Sequence, residues 1–252
     1  MRSILLALAV CLARPVAAQF TTTYAGTQIV GSKQVPATAK FAVEAGRVAM
    51  IMTGAQGGRI VFDQKAQVLH VISDDEKSYF DIGAGGPAEI MQKQLEKLPP
   101  EQRAMAQQMM QSAMPAASAP QLTYVWTKDT KTVANYPCTF VQGMHGDTKV
   151  SEYCGSTSPD FKISDAERGT VLDMQRYLRN SAIMVRTSDD ATRAFQWDTS
   201  VDGYPVITRC FNDGVMTLDL TLQSVSRTPL PGELFDIPRE YKKIDLASMG
   251  RR

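Results

Sequence analysis

Alternation of apolar and polar residues predicts that most of this chain is β-strand. Between Thr21 and Ile82 the two kinds of residue alternate in short runs that polar or glycine-containing turns separate. Strict alternation places one apolar row on a single face of a strand. The runs 37–43 and 47–52 flank the turn 44–46, and this spacing predicts a hairpin. The pattern therefore predicts an antiparallel meander, one face of which needs covering.

Residues 87–117 break this pattern with a Met- and Gln-rich insert of helical periodicity. Apolar side chains recur at helical spacing both before and after Pro99-Pro100. Because adjacent prolines interrupt a helix, the insert is predicted to be two helices, hinged at glycines 85–86. The apolar stripe of these helices includes Met91, Leu95, Met105 and Met109.

The second half of the chain returns to strands and contains one further predicted helix. Ser164 and Glu167 form a capping box that predicts a helix from about Asp165 to Asn180. The strands are predicted at 122–127, 136–141, 149–154, 206–210 and 215–222, with shorter ones at 182–185 and 194–197. The fold class predicted from the sequence is α+β. It is an antiparallel sheet or incomplete barrel whose concave face the helical insert 87–117 covers.

The N-terminus predicts export from the cytoplasm. Arg2, an apolar run and the small residues 16–18 are typical of a signal peptide that is removed after Ala18. Removal of 18 residues from 252 leaves 234, enough for a single β-rich domain at 19–246 with a disordered tail at 247–252. A lipoprotein acylated at Cys11 is the alternative, but bulky Val10 disfavours it. No later apolar run is long enough to span a membrane, so no integral span is predicted.

The charge balance argues against nucleic acid as the main partner. The whole chain has a formal charge of +1, and loss of Arg2 and Arg14 with the signal peptide changes it to −1. Such a balanced surface lacks the basic excess that nucleic acids and acidic membranes attract.

Three cysteines remain after the predicted cleavage. Cys138 and Cys154 are predicted to form a disulfide, because the residues between them are typical of a strand, a turn and a returning strand. Cys210 is then either a buried thiol or the partner of a second chain.

No catalytic motif is present, and neither an enzymatic activity nor a cofactor is predicted. His70 shares its strand face with Val68 and Ile72, which indicates a core or rim position. The four methionines at 105, 109, 110 and 114 pair at helical spacing, and thioethers suit Cu(I). Methionine is also an adaptable apolar filler, which is the simpler interpretation of the same residues.

Several short motifs occur in an order that resembles a known family. The turn 135–138 (N-Y-P-C) precedes 152–154 (E-Y-C) and 203–205 (G-Y-P), and the chain then reaches 233–243, E-L-F-D-I-P-R-E-Y-K-K. That ending resembles the F-x-I-P-x-G-Y-K-K signature of an uncharacterised secreted bacterial family, domain of unknown function 4412. Residues 74–79 resemble its D-x-x-x-K-x-Y strand entry. Glu240 replaces the usual glycine, which puts the backbone of the final turn in question.

This resemblance covers residues 20–245 and implies a fold and a function. The family is similar to the LolA-like periplasmic lipoprotein carriers, which are incomplete antiparallel barrels that helices close and that hold acyl chains. It implies a secreted or periplasmic protein that binds an apolar ligand, a lipid or acyl chain, or an envelope protein partner. The candidate ligand-binding residues are Met91, Leu95, Met105 and Met109.

Two alternatives to a carrier stay open at this point. The insert can be a permanent plug in a structural or stress-related envelope protein, rather than a lid over a ligand. Cu(I) binding through the methionines is the third interpretation.

Overall fold

The structure, a computed structural model, describes residues 19–54, 57–83, 95–96, 99, 102–103, 123–180, 203–228 and 232–244. Twelve strands are assigned within these ranges: β1 (Phe20–Val30), β2 (Lys33–Glu44), β3 (Arg47–Thr53), β4 (Gly58–Asp63), β5 (Val68–Ser73), β6 (Ser78–Ile82), β7 (Thr123–Val133), β8 (Tyr136–His145), β9 (Thr148–Ser156), β10 (Tyr204–Asn212), β11 (Val215–Ser226) and β12 (Lys242–Lys243). The helix α1 (Asp165–Asn180) and two 3-10 turns, η1 (Pro159–Phe161) and η2 (Gly232–Leu234), complete the described elements.

All twelve strands form one sheet. Its order is β12-β6-β5-β4-β3-β2-β1-β11-β10-β9-β8-β7, so β12 and β7 are its two edges. Every neighbouring pair is antiparallel except β12, which runs parallel to β6. The pairing of β1 with β11, from Thr21 opposite Ser226 to Gln28 opposite Leu218, joins the two halves of the chain.

The predicted fold class, α+β with a helical insert over the concave face, is wrong. Strand dominates the described residues, and α1 is the one helix whose full extent the structure describes. Alternation of apolar and polar residues extends through nearly the whole described chain. The strands it predicted form one twelve-stranded sheet, and the described residues do not form a separate helical layer over it. Among the described residues, the helix that packs on this sheet is α1, which lies far from the insert in sequence.

Tight turns fix the register of the hairpins. Ala134 and Asn135 both have positive φ, 48° and 71°, and they connect the paired residues Val133 and Tyr136. Two consecutive positive φ values define a type I′ turn, whose twist matches that of the flanking strands. The asparagine of the N-Y-P-C motif therefore has a structural role in this hairpin.

One face of the sheet, here named the helix face, carries Val43, Val48, Phe62 and Leu69. These residues follow one another through cross-strand pairs, and paired residues of antiparallel strands project on the same side. All four are at most 2% exposed and belong to the larger apolar core. In β11, Leu218, Leu220 and Leu222 are also buried, and their alternate positions place them on one face of the strand.

Helix α1 packs against the helix face near β2 and β3. Its predicted start is confirmed, since the backbone N–H of Ser164 donates to Glu167 Oε2 at 2.7 Å and Glu167 N–H donates to Ser164 Oγ at 3.3 Å. The ring of Tyr177 lies 5.5 Å from that of Phe62, and its hydroxyl donates to the carbonyl of Ile82 at 2.5 Å. Helix periodicity and a cap thus place one apolar stripe of α1 on the sheet.

The opposite face, here named the tail face, is covered by residues 232–244. Phe235 of this segment is 3% exposed and packs with Ala42, Ala49 and Val61, which occupy the alternate positions of β2, β3 and β4. Strand β12 adds the segment to the edge of the sheet beside Ser78. The C-terminal signature thus covers the side of the sheet that α1 leaves open.

Arg59 connects the tail segment to the sheet. Its guanidinium is buried and donates to the carbonyl oxygens of Glu233 at 2.6 Å and Asp236 at 3.2 Å, and to Asp74 Oδ1 at 3.0 Å. The hydroxyl of Tyr241 donates to the same oxygen of Asp74 at 3.0 Å. The two motifs at 74–79 and 233–243 are therefore in contact with each other.

The turn with Glu240 in place of glycine uses ordinary backbone geometry. Glu240 is not among the residues with positive φ. The N–H of Tyr241 donates to the carbonyl of Pro238 at 3.0 Å, which closes a β-turn. A non-glycine residue is therefore accommodated here without left-handed geometry.

Only five positions of the insert fall within the described residues. The backbone is helical at 95–96 and again at 102–103, on either side of Pro99. The guanidinium of Arg103 donates to the carbonyls of Leu95 at 3.0 Å and Glu96 at 2.8 Å. The signal peptide 1–18, most of the insert 87–117 and the tail 247–252 lie outside the described residues, so the domain assignment stays a prediction.

Replacement of Arg59 by methionine is expected to lower the free energy of unfolding by about 2–3 kcal/mol, because several hydrogen bonds to a buried charged donor are lost. Urea denaturation measures this change, and amide hydrogen exchange should increase in residues 232–244. Arg239→Met is the matched control, since Arg239 is exposed in the same segment and forms no ion pair within the described chain. An equal loss of stability in both variants would contradict the role assigned to Arg59.

Candidate functional site

A cleft of about 540 Å³ opens at the β7 end of the sheet. Its lining comes from β7, β8, β9 and the residue after β9: Trp126, Thr130, Pro137, Cys138, Thr139, Gly155 and Thr157. A volume of this size lies within the range of about 300–1,000 Å³ that small-molecule sites occupy. The cleft is therefore large enough for an organic ligand.

The register of three strands accounts for the shape of the cleft. Thr130 pairs with Thr139, and Thr139 pairs with Gly155, so the three positions form one cross-strand row. Gly155 lines the cleft without contributing a side chain, which leaves space above its backbone. Trp126 pairs with Val141 in the neighbouring row and forms one wall.

An irregularity in β7 separates the two rows. The register shifts between Trp126 and Thr130, where Thr127 Oγ1 donates to the carbonyl of Phe140 at 3.1 Å and accepts from the N–H of Asp129 at 3.1 Å. Bulges at sheet edges bend a strand and re-aim its side chains. This bulge places the half-exposed indole of Trp126, 48% accessible, beside the threonine row.

The lining of the cleft is uncharged and able to form hydrogen bonds. No lysine, arginine, aspartate or glutamate is among its residues. Thr130 and Thr157 are exposed and Thr139 is half-buried. Within the described chain the hydroxyls of these three threonines make no hydrogen bond to protein. The arrangement suits a neutral molecule with both apolar and hydrogen-bonding parts.

The predicted disulfide between Cys138 and Cys154 is confirmed and supports the cleft. It joins β8 to β9 at a Cα–Cα distance of 5.3 Å, and both cysteines are at most 4% exposed. Cys138 contributes directly to the lining. Cys210 is not part of this bond. It is fully buried, which agrees with the prediction of a buried thiol.

The row of paired residues that begins at Trp126 continues into the buried part of the helix face. The row that begins at Trp126 and Val141 continues to Tyr153, Thr208 and Leu220 through successive strand pairs. The last four of these are at most 3% exposed, whereas Trp126 is 48% exposed. Trp126 thus lies at the boundary between solvent and a buried, mainly apolar surface.

Aromatic rings stack at the neighbouring end of the sheet. The ring of Phe161 lies 4.6 Å from that of Tyr136 and 4.8 Å from that of Tyr204, with which it is stacked. The Tyr204 hydroxyl is 2.7 Å from Thr22 Oγ1, and burial raises the pKa of Tyr204 to about 12. The tyrosines of the N-Y-P-C and G-Y-P motifs therefore belong to the core.

His70 lies on the tail face, apart from the cleft. Its Nδ1 is 2.6 Å from Asp81 Oδ1, and Lys243 Nζ is 2.6 Å from Asp81 Oδ2. Burial favours the neutral acid, but hydrogen bonds from Lys243 and His70 outweigh it and hold the pKa of Asp81 below its usual range. Within the described ranges no three His, Cys, Asp or Glu side chains form a group suited to a metal ion.

The structure gives a partial account of the predicted ligand-binding residues. Leu95 is buried at 8% exposure, in agreement with its place on an apolar stripe. Met91, Met105 and Met109 lie outside the described residues, so their role stays a prediction.

Sequence reasoning missed the residues of the cleft. The alternating aromatics Tyr124 and Trp126 were a usable signal, since an aromatic pair on one face of an edge strand is typical of a packing or binding surface. The bulge between Trp126 and Thr130 has no comparable mark in the sequence.

Comparison with known proteins does not identify a family. No protein-family model matches the chain, and no curated protein sequence matches it. The resemblance to domain of unknown function 4412 therefore stays a prediction.

Within the described residues, no helix combines the length and the apolar character needed to cross a bilayer.

Several solved structures are distantly similar to this chain at low sequence identity. An uncharacterised conserved protein from Thermus thermophilus is similar over 90% of both chains, with a TM-score of 0.45 and 8% identity. PNGF-II is similar over 93% of this chain but only 32% of its own length, with a TM-score of 0.40 and 8% identity. A DUF1329 family protein from Desulfovibrio piger is similar over 88% of this chain and 91% of its own, with a TM-score of 0.17 and 8% identity. Likeness at this level carries no functional assignment.

Replacement of both Cys138 and Cys154 by serine is expected to lower the free energy of unfolding by about 3 kcal/mol in oxidising buffer, because the bond closes a loop of about 15 residues in the unfolded chain. Denaturation with and without a reductant checks this expectation. In reductant the variant and the parent protein should have nearly the same stability. A loss of the same size in both buffers would show that the serines, and not the missing bond, destabilise the protein.

Proposed function

We propose that this protein acts outside the cytoplasm and binds an apolar small molecule, such as a lipid or an acyl chain, without covalent chemistry. The observation that carries this proposal is the cleft at Trp126, where a half-exposed indole borders a buried apolar row. Concave sites with an apolar wall and a few hydrogen-bonding groups are typical of ligand-binding proteins.

The disulfide supports the proposed compartment. Disulfides persist in oxidising environments such as the periplasm and the exterior of the cell. The Cys138–Cys154 bond agrees with the predicted signal peptide 1–18, which stays a prediction.

The energetic gain from covering Trp126 is large enough to matter for binding. A tryptophan side chain buries roughly 150–250 Å² when fully covered, and this one is about half exposed. At about 25 cal/mol per Å², covering the remaining surface contributes about 2–3 kcal/mol before entropic costs. That is a substantial share of the roughly 8 kcal/mol that corresponds to micromolar affinity.

The residues Met91, Leu95, Met105 and Met109 are proposed to contribute to an apolar ligand site. Their spacing supports a single apolar stripe, and Leu95 is buried. The sequence resemblance to proteins that hold acyl chains points in the same direction. A plugged structural protein is the competing proposal, and it predicts that no added ligand binds.

The neutral apolar dye N-phenyl-1-naphthylamine tests the proposal, because its fluorescence rises when it enters an apolar site. Titration into the full-length mature protein is expected to give saturable binding. Trp126→Ala should weaken that binding by about tenfold or more, as the loss of about 1.4 kcal/mol of contact implies.

Met216→Ala is the control for this experiment. Met216 is a large apolar residue that is 41% exposed on β11 and does not line the cleft. Its variant should bind the dye like the parent protein. The proposed site would be contradicted if the parent protein showed no saturable dye binding. It would also be contradicted if Trp126→Ala bound the dye with the same affinity as the parent protein.

A further inference from the structure

We propose that the cleft at Trp126 recognises the uncharged, hydroxyl-bearing head group of an amphiphile, such as a glycosyl or glyceryl group. This inference rests on the proposed function, since it assigns the polar end of the same ligand. It names a chemical class of head group and the residues that select it.

Hydrogen-bonding groups converge on one side of the cleft. Thr130 and Thr139 are directly paired on adjacent strands, so their side chains project on the same side, and Thr157 lies nearby in the lining. A threonine hydroxyl is both a donor and an acceptor. Because these hydroxyls make no hydrogen bond to protein within the described chain, their full capacity is available to a ligand.

The charges near the cleft do not favour an ionic head group. Lys131 pairs with Cys138, one position along from the Thr130–Thr139 pair, so it projects to the opposite side of the strand. The bulge residues Lys128 and Asp129 carry opposite charges, are exposed and do not line the cleft. A carboxylate or phosphate placed among the threonines would lose hydration without gaining a cation.

Trp126 supplies a flat apolar surface beside these hydroxyls. The carbon-bound hydrogens of a sugar ring or of glycerol can pack on an indole while their hydroxyls bond to threonine. The exposed indole therefore complements the apolar side of a hydroxylated head group, and the threonines complement its polar side.

The proposed function makes the ligand an amphiphile rather than a free sugar, because it assigns an apolar part to the same molecule. Val141 and Tyr153 follow Trp126 in the row and are at most 2% exposed, so the apolar side chain that the row offers to a hydrocarbon tail is the half-exposed indole of Trp126. Covering this indole removes apolar surface from water.

Competition against bound N-phenyl-1-naphthylamine tests the inference with four probes used below their micellar concentrations. Dodecyl maltoside and monolaurin carry glycosyl and glyceryl heads, laurate carries an anionic head on a tail of similar length, and maltose is a head without a tail. The two neutral amphiphiles are expected to displace the dye at concentrations at least tenfold lower than laurate. Maltose should not displace it.

The double variant Thr130→Val, Thr139→Val tests the assigned residues. It keeps the shape of both side chains and removes their hydroxyls, so competition by the neutral amphiphiles should weaken about tenfold or more. The dye itself should bind unchanged, which shows that the variant is folded. Thr148→Val is the matched control, because Thr148 is an exposed strand threonine of β9 that does not line the cleft.

The outcomes separate this inference from the proposed function. Dye binding with no preference between laurate and the neutral amphiphiles would overturn the head-group assignment and leave the apolar site intact. Unchanged preference in the threonine variant would overturn the role of Thr130 and Thr139. Absence of dye binding would contradict the proposed function itself. Strong binding of maltose alone would assign the cleft to free saccharides instead of amphiphiles.

Discussion

Coverage of both faces of one long sheet is the constraint on which this structure depends. Apolar side chains are buried on the helix face and also on the tail face, so each needs a covering element. Helix α1 supplies the first cover, and the C-terminal segment supplies the second through Arg59 and β12. The two motifs that resemble a known family meet at this second cover, and their sequence is therefore explained by packing rather than by chemistry.

The same constraint locates the candidate site. The row of side chains on the helix face is buried through Tyr153 and Val141 and reaches solvent at Trp126, on the edge strand β7. A bulge, a cross-strand glycine and the disulfide shape the cleft at this boundary. The proposed binding at this position requires no catalytic group, since covering apolar surface would supply the affinity and the threonine hydroxyls would supply the selectivity.

Local sequence patterns predicted the local structure well. Alternation identified the described strands except β12 and the second half of β7, the capping box identified α1 from Asp165 to Asn180, and loop spacing identified the disulfide partners. The fold class was wrong because periodicity describes single elements, and it does not reveal which element covers which face of a sheet. Arg59 and Trp126 were missed for a related reason. The burial of the Arg59 guanidinium depends on contacts with residues that are distant in sequence, and the position of Trp126 beside the threonines depends on a bulge and on pairing between strands.

Native mass spectrometry of the protein purified from the envelope or medium of its own cells tests directly whether it holds an amphiphile. The expected spectrum shows the mature chain with an additional mass of an uncharged organic amphiphile, which is released on unfolding and is reduced or absent in Trp126→Ala. A bare chain that stays bare after exposure to lipid extract would contradict the account. An added mass that Trp126→Ala retains in full would show that the ligand binds elsewhere.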